Sequence, residues 1–230
     1  MSAPSDTVAL RLLASPGDPL FWPALELYVE TFPRDEREPL ERVARVASGD
    51  PDLCRDPEHR VLLAVADSGG SLAGLAYFTV HAVARTGFLI YLAADPRHRK
   101  AGVGTRLIEF VRETCRHEAA EMGSSVAAVF LECERPELAA SPEEGAYRRA
   151  RVEFFLRRGA RVVTRSYHQP ALAPDRERVP LWLLAFEEKP CDWPHLVTDF
   201  HRLVLGYPAG CAEESEALSG LFETARPTNP

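Results

Sequence analysis

Lysine is nearly absent from this chain: of 27 basic residues among 230, only Lys100 and Lys189 are lysine. With abundant alanine, this reads as the coding bias of a GC-rich bacterial genome, not as function. Cysteine is sparse too. Cys54, Cys115, Cys133, Cys191 and Cys211 are scattered, odd in number and free of any Cys-x-x-Cys pair. That argues against a disulfide framework or a zinc site and for reduced thiols in the cytoplasm, so no metal is expected. No apolar run reaches the ~20 residues needed to cross a bilayer. The N-terminus lacks a basic stretch followed by an apolar one, so no signal peptide is expected. Positive charge is not in excess. The net charge of −7 argues against nucleic acid or an anionic membrane as the main partner. No Gly-x-x-x-x-Gly-Lys-Ser/Thr is present, which excludes that phosphate loop. There is no internal repeat and no low-complexity tract.

What is present is an ordinary globular composition, 46% hydrophobic and 27% charged. The length suits one domain, or one domain with an extension. Val8 to Leu13 reads as a strand, Phe21 to Phe32 as a helix, and Arg34 to Ala47 as a second helix after Pro33. Gly49-Asp50-Pro51 reads as a break. Arg60 to Ala66 and Ser71 to Val83 read as strands around Asp67-Ser68-Gly69-Gly70, a hairpin signal. Phe88 to Ala94 is the next strand, followed by a helix from Thr105 to Ala119. Val126 to Cys133 reads as a buried strand, Ala146 to Arg158 as a helix ended by Gly159, and Arg161 to Tyr167 and Val179 to Glu187 as strands. A meander followed by strand–helix alternation implies a mixed α/β (α+β) sheet with helices on its faces. After Pro190, His195 to Leu205 and Ala212 to Ala225 have helical patterns. We expect a core domain over 1–189 and a C-terminal helical extension over 190–230 packed on it, with a homodimer interface there as the second reading.

The most informative stretch is Arg99-Lys100-Ala101-Gly102-Val103-Gly104, between the strand ending at Ala94 and the helix beginning near Thr105. Asp95-Pro96 terminates the strand. A strand, a glycine-rich turn and a helix N-terminus make an anion-binding device, because small residues let the backbone approach a phosphate and the first-turn N–H groups point at it. Arg97, Arg99 and Lys100 add positive charge. The third glycine of a dinucleotide fingerprint is missing after Gly104.

This segment resembles the acetyl-CoA-binding segment of the GNAT N-acetyltransferase superfamily. The order of elements from about Val8 to Glu187 is similar to that fold, a mixed, mostly antiparallel sheet flanked by helices. The resemblance implies acetyl-CoA as co-substrate. It places the pyrophosphate at Arg99, Lys100, Ala101, Gly102, Val103, Gly104 and Thr105, and the pantetheine arm along the backbone of Leu92, Ala93 and Ala94. It also implies an acceptor wall near Phe32, with Asp35 or Glu36 meeting the amine; Asp35 as a helix cap is the alternative.

Deprotonating an ammonium requires a base. Glu132 and Glu134, two apart at a strand's end, share one face and are the candidates; a carboxylate there must be raised toward neutrality to act. The alternative is that they pair with Arg148, Arg149 and Arg151. His81 and His168 are further candidate bases. Tyr147 to Gly159 resembles the family's second motif, a helix with an aromatic pair ended by glycine. Its second aromatic, commonly a tyrosine that protonates the thiolate, is Phe155 here and has no proton to give. Cys133 faces away from the two glutamates, so no nucleophile is poised and direct attack in a ternary complex is implied. The expected function is acetyl transfer to a small-molecule or peptide amine. A silent acetyl-CoA-binding protein and a transferase for another acyl group are the alternatives.

Overall fold

The computed structural model describes residues 8–34, 37–98, 101–171 and 177–222. Seven strands make a mixed, mostly antiparallel sheet flanked by helices. The chain divides into two compact units, residues 1–82 with 87–125, and residues 83–86 with 126–230. Among the described residues no helix is long and apolar enough to cross a membrane.

The first unit carries β1 (Ala9–Leu13), β2 (His59–Ser68), β3 (Ser71–His81) and β4 (Thr86–Ala94) in that spatial order. The β2–β3 hairpin turns where the sequence predicts it. Gly69 and Gly70 take positive φ, which glycine adopts without a Cβ penalty, and the Asp67 carboxylate accepts the Gly70 N–H at 2.7 Å. Helices α1 (Phe21–Thr31) and α2 (Leu40–Ala47) bury Ala24, Leu25, Tyr28, Val43 and Val46 in one core with Leu63, Val65, Leu75 and Tyr77 of the strands.

The predicted second helix, from Arg34, begins instead at Leu40. Pro39 is its cap in an extended conformation; proline lacks the N–H an earlier turn would need and holds Glu38 away from helical backbone. The predicted break at Gly49-Asp50-Pro51 is itself a helix start. Asp50 accepts the Asp52 N–H at 3.0 Å, and Pro51 opens the single turn α3 (Pro51–Cys54). Helix α4 (Val103–Glu121) packs on β2 and β3, burying Leu107, Ile108, Val111 and Cys115.

The second unit carries β5 (Ala128–Glu134), β7 (Val179–Glu187) and β6 (Arg161–Gln169) in the order β5-β7-β6, both pairs antiparallel. Helix α5 (Pro142–Leu156) starts four residues before the predicted Ala146. Ser141 accepts the Glu144 N–H at 3.1 Å, the Glu144 carboxylate accepts the Ala140 N–H at 2.7 Å, and Pro142 sits in the first turn. After β7 come α6 (Trp193–Asp199), a π-helical turn (Phe200–Val204) and α7 (Ala212–Ser219). They cover β5 and β6: Phe200 stacks on Phe130 at 4.4 Å, and the Phe222 N–H donates to the Val163 carbonyl at 2.7 Å.

Candidate active site

The turn between β4 and α4 is built within the first unit. Leu92, Ala93 and Ala94 close β4, with Ala93 buried and its neighbours half-buried. Asp95 follows; its N–H donates to the Ala73 carbonyl at 2.9 Å. Its carboxylate accepts the Arg97 N–H at 2.8 Å and the Arg97 guanidinium at 2.6 Å. The guanidinium beside it holds the Asp95 carboxyl down at about 2. Arg97, read from sequence as charge for an anion, is therefore already paired with a carboxylate. Pro96 to His98 form a short 3-10 turn. Arg99 and Lys100 lie outside the described residues.

Gly102 has φ 74°, in the left-handed region, and caps α4. Its conformation swings the chain into the helix at Val103, whose buried side chain anchors the first turn. Ala101 and Gly102 are exposed, Gly104 and Thr105 half-buried. A Cβ added at Gly102 would meet nothing within 4 Å, so a ligand can reach this backbone. The first-turn N–H groups of a 19-residue helix lack partners inside the helix and sit at the positive end of its dipole. The turn thus fits a pyrophosphate by its own geometry.

Gly74 on β3, a residue that sequence reasoning missed, brings these parts together. A Cβ there would lie 2.6 Å from the Ala93 carbonyl oxygen and 2.9 Å from a Val103 methyl. Only glycine lets β3 approach both the end of β4 and the start of α4. A glycine inside a strand pattern was the available signal.

The acceptor-side expectation rests on Phe32, Asp35 and Glu36. Asp35 and Glu36 lie outside the described residues. Phe32 is half-buried, its ring 4.8 Å from Tyr91 and 5.6 Å from Tyr28. The same segment is pinned at Glu38. Its N–H donates to the Tyr91 hydroxyl (2.8 Å), its carbonyl accepts the Tyr28 hydroxyl (3.0 Å), and its carboxylate accepts from Tyr77 (2.9 Å) and Arg42 (3.0 Å). Tyr28 and Tyr91 are buried in the core, yet their hydroxyls are used. Burial raises the Tyr28 and Tyr77 hydroxyls far above the ordinary phenol range, so both stay protonated donors.

In the second unit, Glu132 and Glu134 sit on β5 with different partners. Glu132 accepts the Tyr167 hydroxyl on one oxygen and the Gln169 amide at 2.9 Å on the other. Burial pushes its carboxyl up to about 7, against the two hydrogen bonds, which pull it down. Glu134 pairs with Arg151 at 2.5 Å and faces Arg148 at 3.7 Å. Those pairings are the alternative foreseen for the glutamates, realised at Glu134 and not at Glu132. Cys133 between them is buried, and its thiol is raised to about 12, chiefly by burial, which leaves it inert.

Of the two phenylalanines, Phe155 is buried, while Phe154 is half-buried under the Arg158 guanidinium at 3.6 Å. Val152 and Phe155, three apart, lie on the inner face of the helix. Of the further candidate bases, the His81 ring sits 5.6 Å from that of His59, and His168 lies 3.5 Å from Glu216.

A model of the acetyltransferase (GNAT) family matches residues 21–140. No curated protein matches the chain. Among solved structures it is similar to a protein assigned to the GNAT family from Bacteroides thetaiotaomicron, at 18% identity and TM-score 0.63 over 87% of this chain and 99% of that one. It is also similar to Arabidopsis thaliana NAA60 in complex with acetyl-CoA (16% identity, TM-score 0.53, 79% and 99% covered). A third is an aminoglycoside 6′-N-acetyltransferase complexed with coenzyme A (17%, 0.51, 80% and 99%). At such identities the likeness is one of fold.

Proposed function

This chain belongs to the acetyltransferase (GNAT) family, and we propose that it moves an acetyl group from acetyl-CoA to the amine of a small molecule or peptide by direct attack in a ternary complex. The observation that carries this reading is the left-handed Gly102 at the mouth of α4, directly after β4. Acetyl-CoA supplies the activated acyl group as a thioester. The first turn of α4, Ala101 to Thr105, receives the pyrophosphate, with Arg99 and Lys100 adding charge. The backbone of Leu92, Ala93 and Ala94 orients the pantetheine arm and offers N–H groups to the thioester carbonyl oxygen. Phe32, with Asp35 and Glu36, contacts the acceptor.

Glu132 takes the proton from the ammonium. An alkylamine resembling lysine starts near ~10.4, and a carboxyl at about 7 is a far better acceptor of its proton than an ordinary glutamate. The free amine then bonds to the carbonyl carbon; as the adduct collapses, the carbon–sulfur bond breaks, the nitrogen gives its second proton to solvent, and the coenzyme leaves as a thiolate that solvent protonates. Glu134 is already engaged by two arginines. The reaction requires no metal and fits a cytoplasmic protein.

Acetyl-CoA titrated into the protein by calorimetry, followed by thiol release across a panel of polyamines, aminoglycosides and peptide N-termini, tests the reading. Saturable binding and release with at least one amine are expected. Binding without release from any amine would turn it into a silent coenzyme-binding protein. A faster reaction with a longer acyl thioester would reassign the donor.

A further inference from the structure

Tyr167 and Gln169, two apart on β6, reach the same carboxylate from one strand face, each donating to a different oxygen of Glu132. Two donors on two oxygens fix both the rotation and the position of a carboxylate. Tyr167 is fully buried and is itself braced from the C-terminal segment. The His201 ring meets its ring edge-on at 5.7 Å. His201 stacks on Tyr207 at 5.9 Å, and the Tyr207 hydroxyl donates to the His168 carbonyl on β6 at 3.1 Å.

His201 belongs to the π-helical turn, and its Nδ1 lies 2.8 Å from the Val197 carbonyl, so that nitrogen carries the proton. Burial pushes the imidazole down, so the ring stays neutral and contributes shape, not charge. A π-turn widens one helical turn and re-aims the residues within it. Here it places Phe200 on Phe130 and His201 on Tyr167.

We propose that Tyr167 and Gln169 are positioning residues that clamp the Glu132 carboxylate, and that the segment from α6 to Tyr207 exists in part to brace Tyr167. The proposal rests on the reading of Glu132 as the base. The clamp does two things for a base: it holds one oxygen pair in register, and it limits how far burial drives the carboxyl upward. Around Glu132 within this unit, β6 brings Tyr167, the segment after α6 brings His201 and Tyr207, and β7 brings Leu183 opposite. Helix α5 brings Arg148 and Arg151, both engaged by Glu134. Among the described residues, the side-chain donors to the Glu132 carboxylate are Tyr167 and Gln169.

The test uses the full chain with ¹³C-labelled glutamate carboxyls, the Glu132 signal being assigned by its loss in Glu132→Gln. In the wild type one carboxyl should titrate near neutrality. Tyr167→Phe keeps the ring and removes the donor; Gln169→Leu removes the other. Each should move the Glu132 titration upward and shift the acidic limb of the pH–rate profile with it. For a group at about 7, an upward move of about one pH unit takes the ionised fraction at pH 7 from about a half to about a tenth, a loss of about five-fold in rate. A purely structural role would lower the rate equally at every pH and leave the limb in place. His201→Leu should move the limb in the same direction by less. A Glu132 titration unmoved in both Tyr167→Phe and Gln169→Leu overturns the clamp. Full turnover in Glu132→Gln would instead overturn the base assignment, and the carboxyl titration would still judge the clamp.

Discussion

The turn proposed to hold the coenzyme in the first unit and the clamp proposed for Glu132 in the second are made of different materials. The turn is backbone: a left-handed glycine, a helix N-terminus and a strand end, all within Leu92 to Thr105. The clamp is side chain: Glu132 is held by residues 35 and 37 positions away, one of them braced from further still. Backbone devices are local and depend on the absence of side chains. They tolerate changes in residue type and fail on added bulk. Side-chain devices are assembled by the fold, depend on single functional groups, and fail on the loss of one atom.

The largest effect expected from that contrast is at Gly102. Gly102→Glu adds a side chain at a φ that side chains rarely adopt and puts negative charge where a pyrophosphate approaches. The open space around its Cβ means the protein should still fold. Acetyl-CoA binding should fall below calorimetric detection, a loss of more than about 100-fold, or about 2.7 kcal/mol. Unchanged affinity in a folded Gly102→Glu protein would remove the turn from the site and leave the contrast without its first half.

A smaller effect is expected at Gly74, which tests whether the turn depends on close packing behind it. Gly74→Ala places a methyl 2.6 Å from the Ala93 carbonyl oxygen, a backbone atom that cannot rotate away. Overpacking of this kind costs about 1–3 kcal/mol. Chemical denaturation should show that loss, and acetyl-CoA affinity should weaken as β4 and α4 are pushed apart. Wild-type stability with wild-type affinity would mean that β3 gives way freely and that the turn stands alone.

The same contrast explains what could be read from the sequence. The β2–β3 hairpin, the β4 strand and the α4 helix announce themselves through glycine, proline and periodic apolar residues, so the turn between β4 and α4 was legible, although the helix starts at Val103 and not at Thr105. Helix starts were less so. Pro39 delayed α2 and Ser141-Pro142 advanced α5, although both carry known capping chemistry. Glu132 and Glu134 looked alike because alternation along a strand puts both on one face. What separates them is long-range contact: Tyr167 and Gln169 of β6 reach Glu132, while the α5 arginines reach Glu134. Nothing local records that. Glu38, held by three tyrosines and an arginine, escaped notice for the same reason.

The smallest effect is expected at Phe155, and it tests whether the second unit lacks an acid. The resemblance places a proton-donating tyrosine at this position in the family, and phenylalanine cannot serve. Phe155 is buried with Val152 on the inner face of α5, its ring 5.2 Å from Phe154 in an edge-on contact. Phe155→Tyr adds a hydroxyl at a packed position, and an unpaired hydroxyl there costs about 1–3 kcal/mol of stability. It should leave turnover within about two-fold, because a hydroxyl kept inside the core donates to nothing that reacts and a solvent-protonated thiolate needs no donor. Thiol release measured on both proteins across the same amine panel checks this. Turnover confined to the tyrosine variant would show that the wild type binds the coenzyme without using it. The clamp on Glu132 would then be a vestige of a base whose partner acid has been lost.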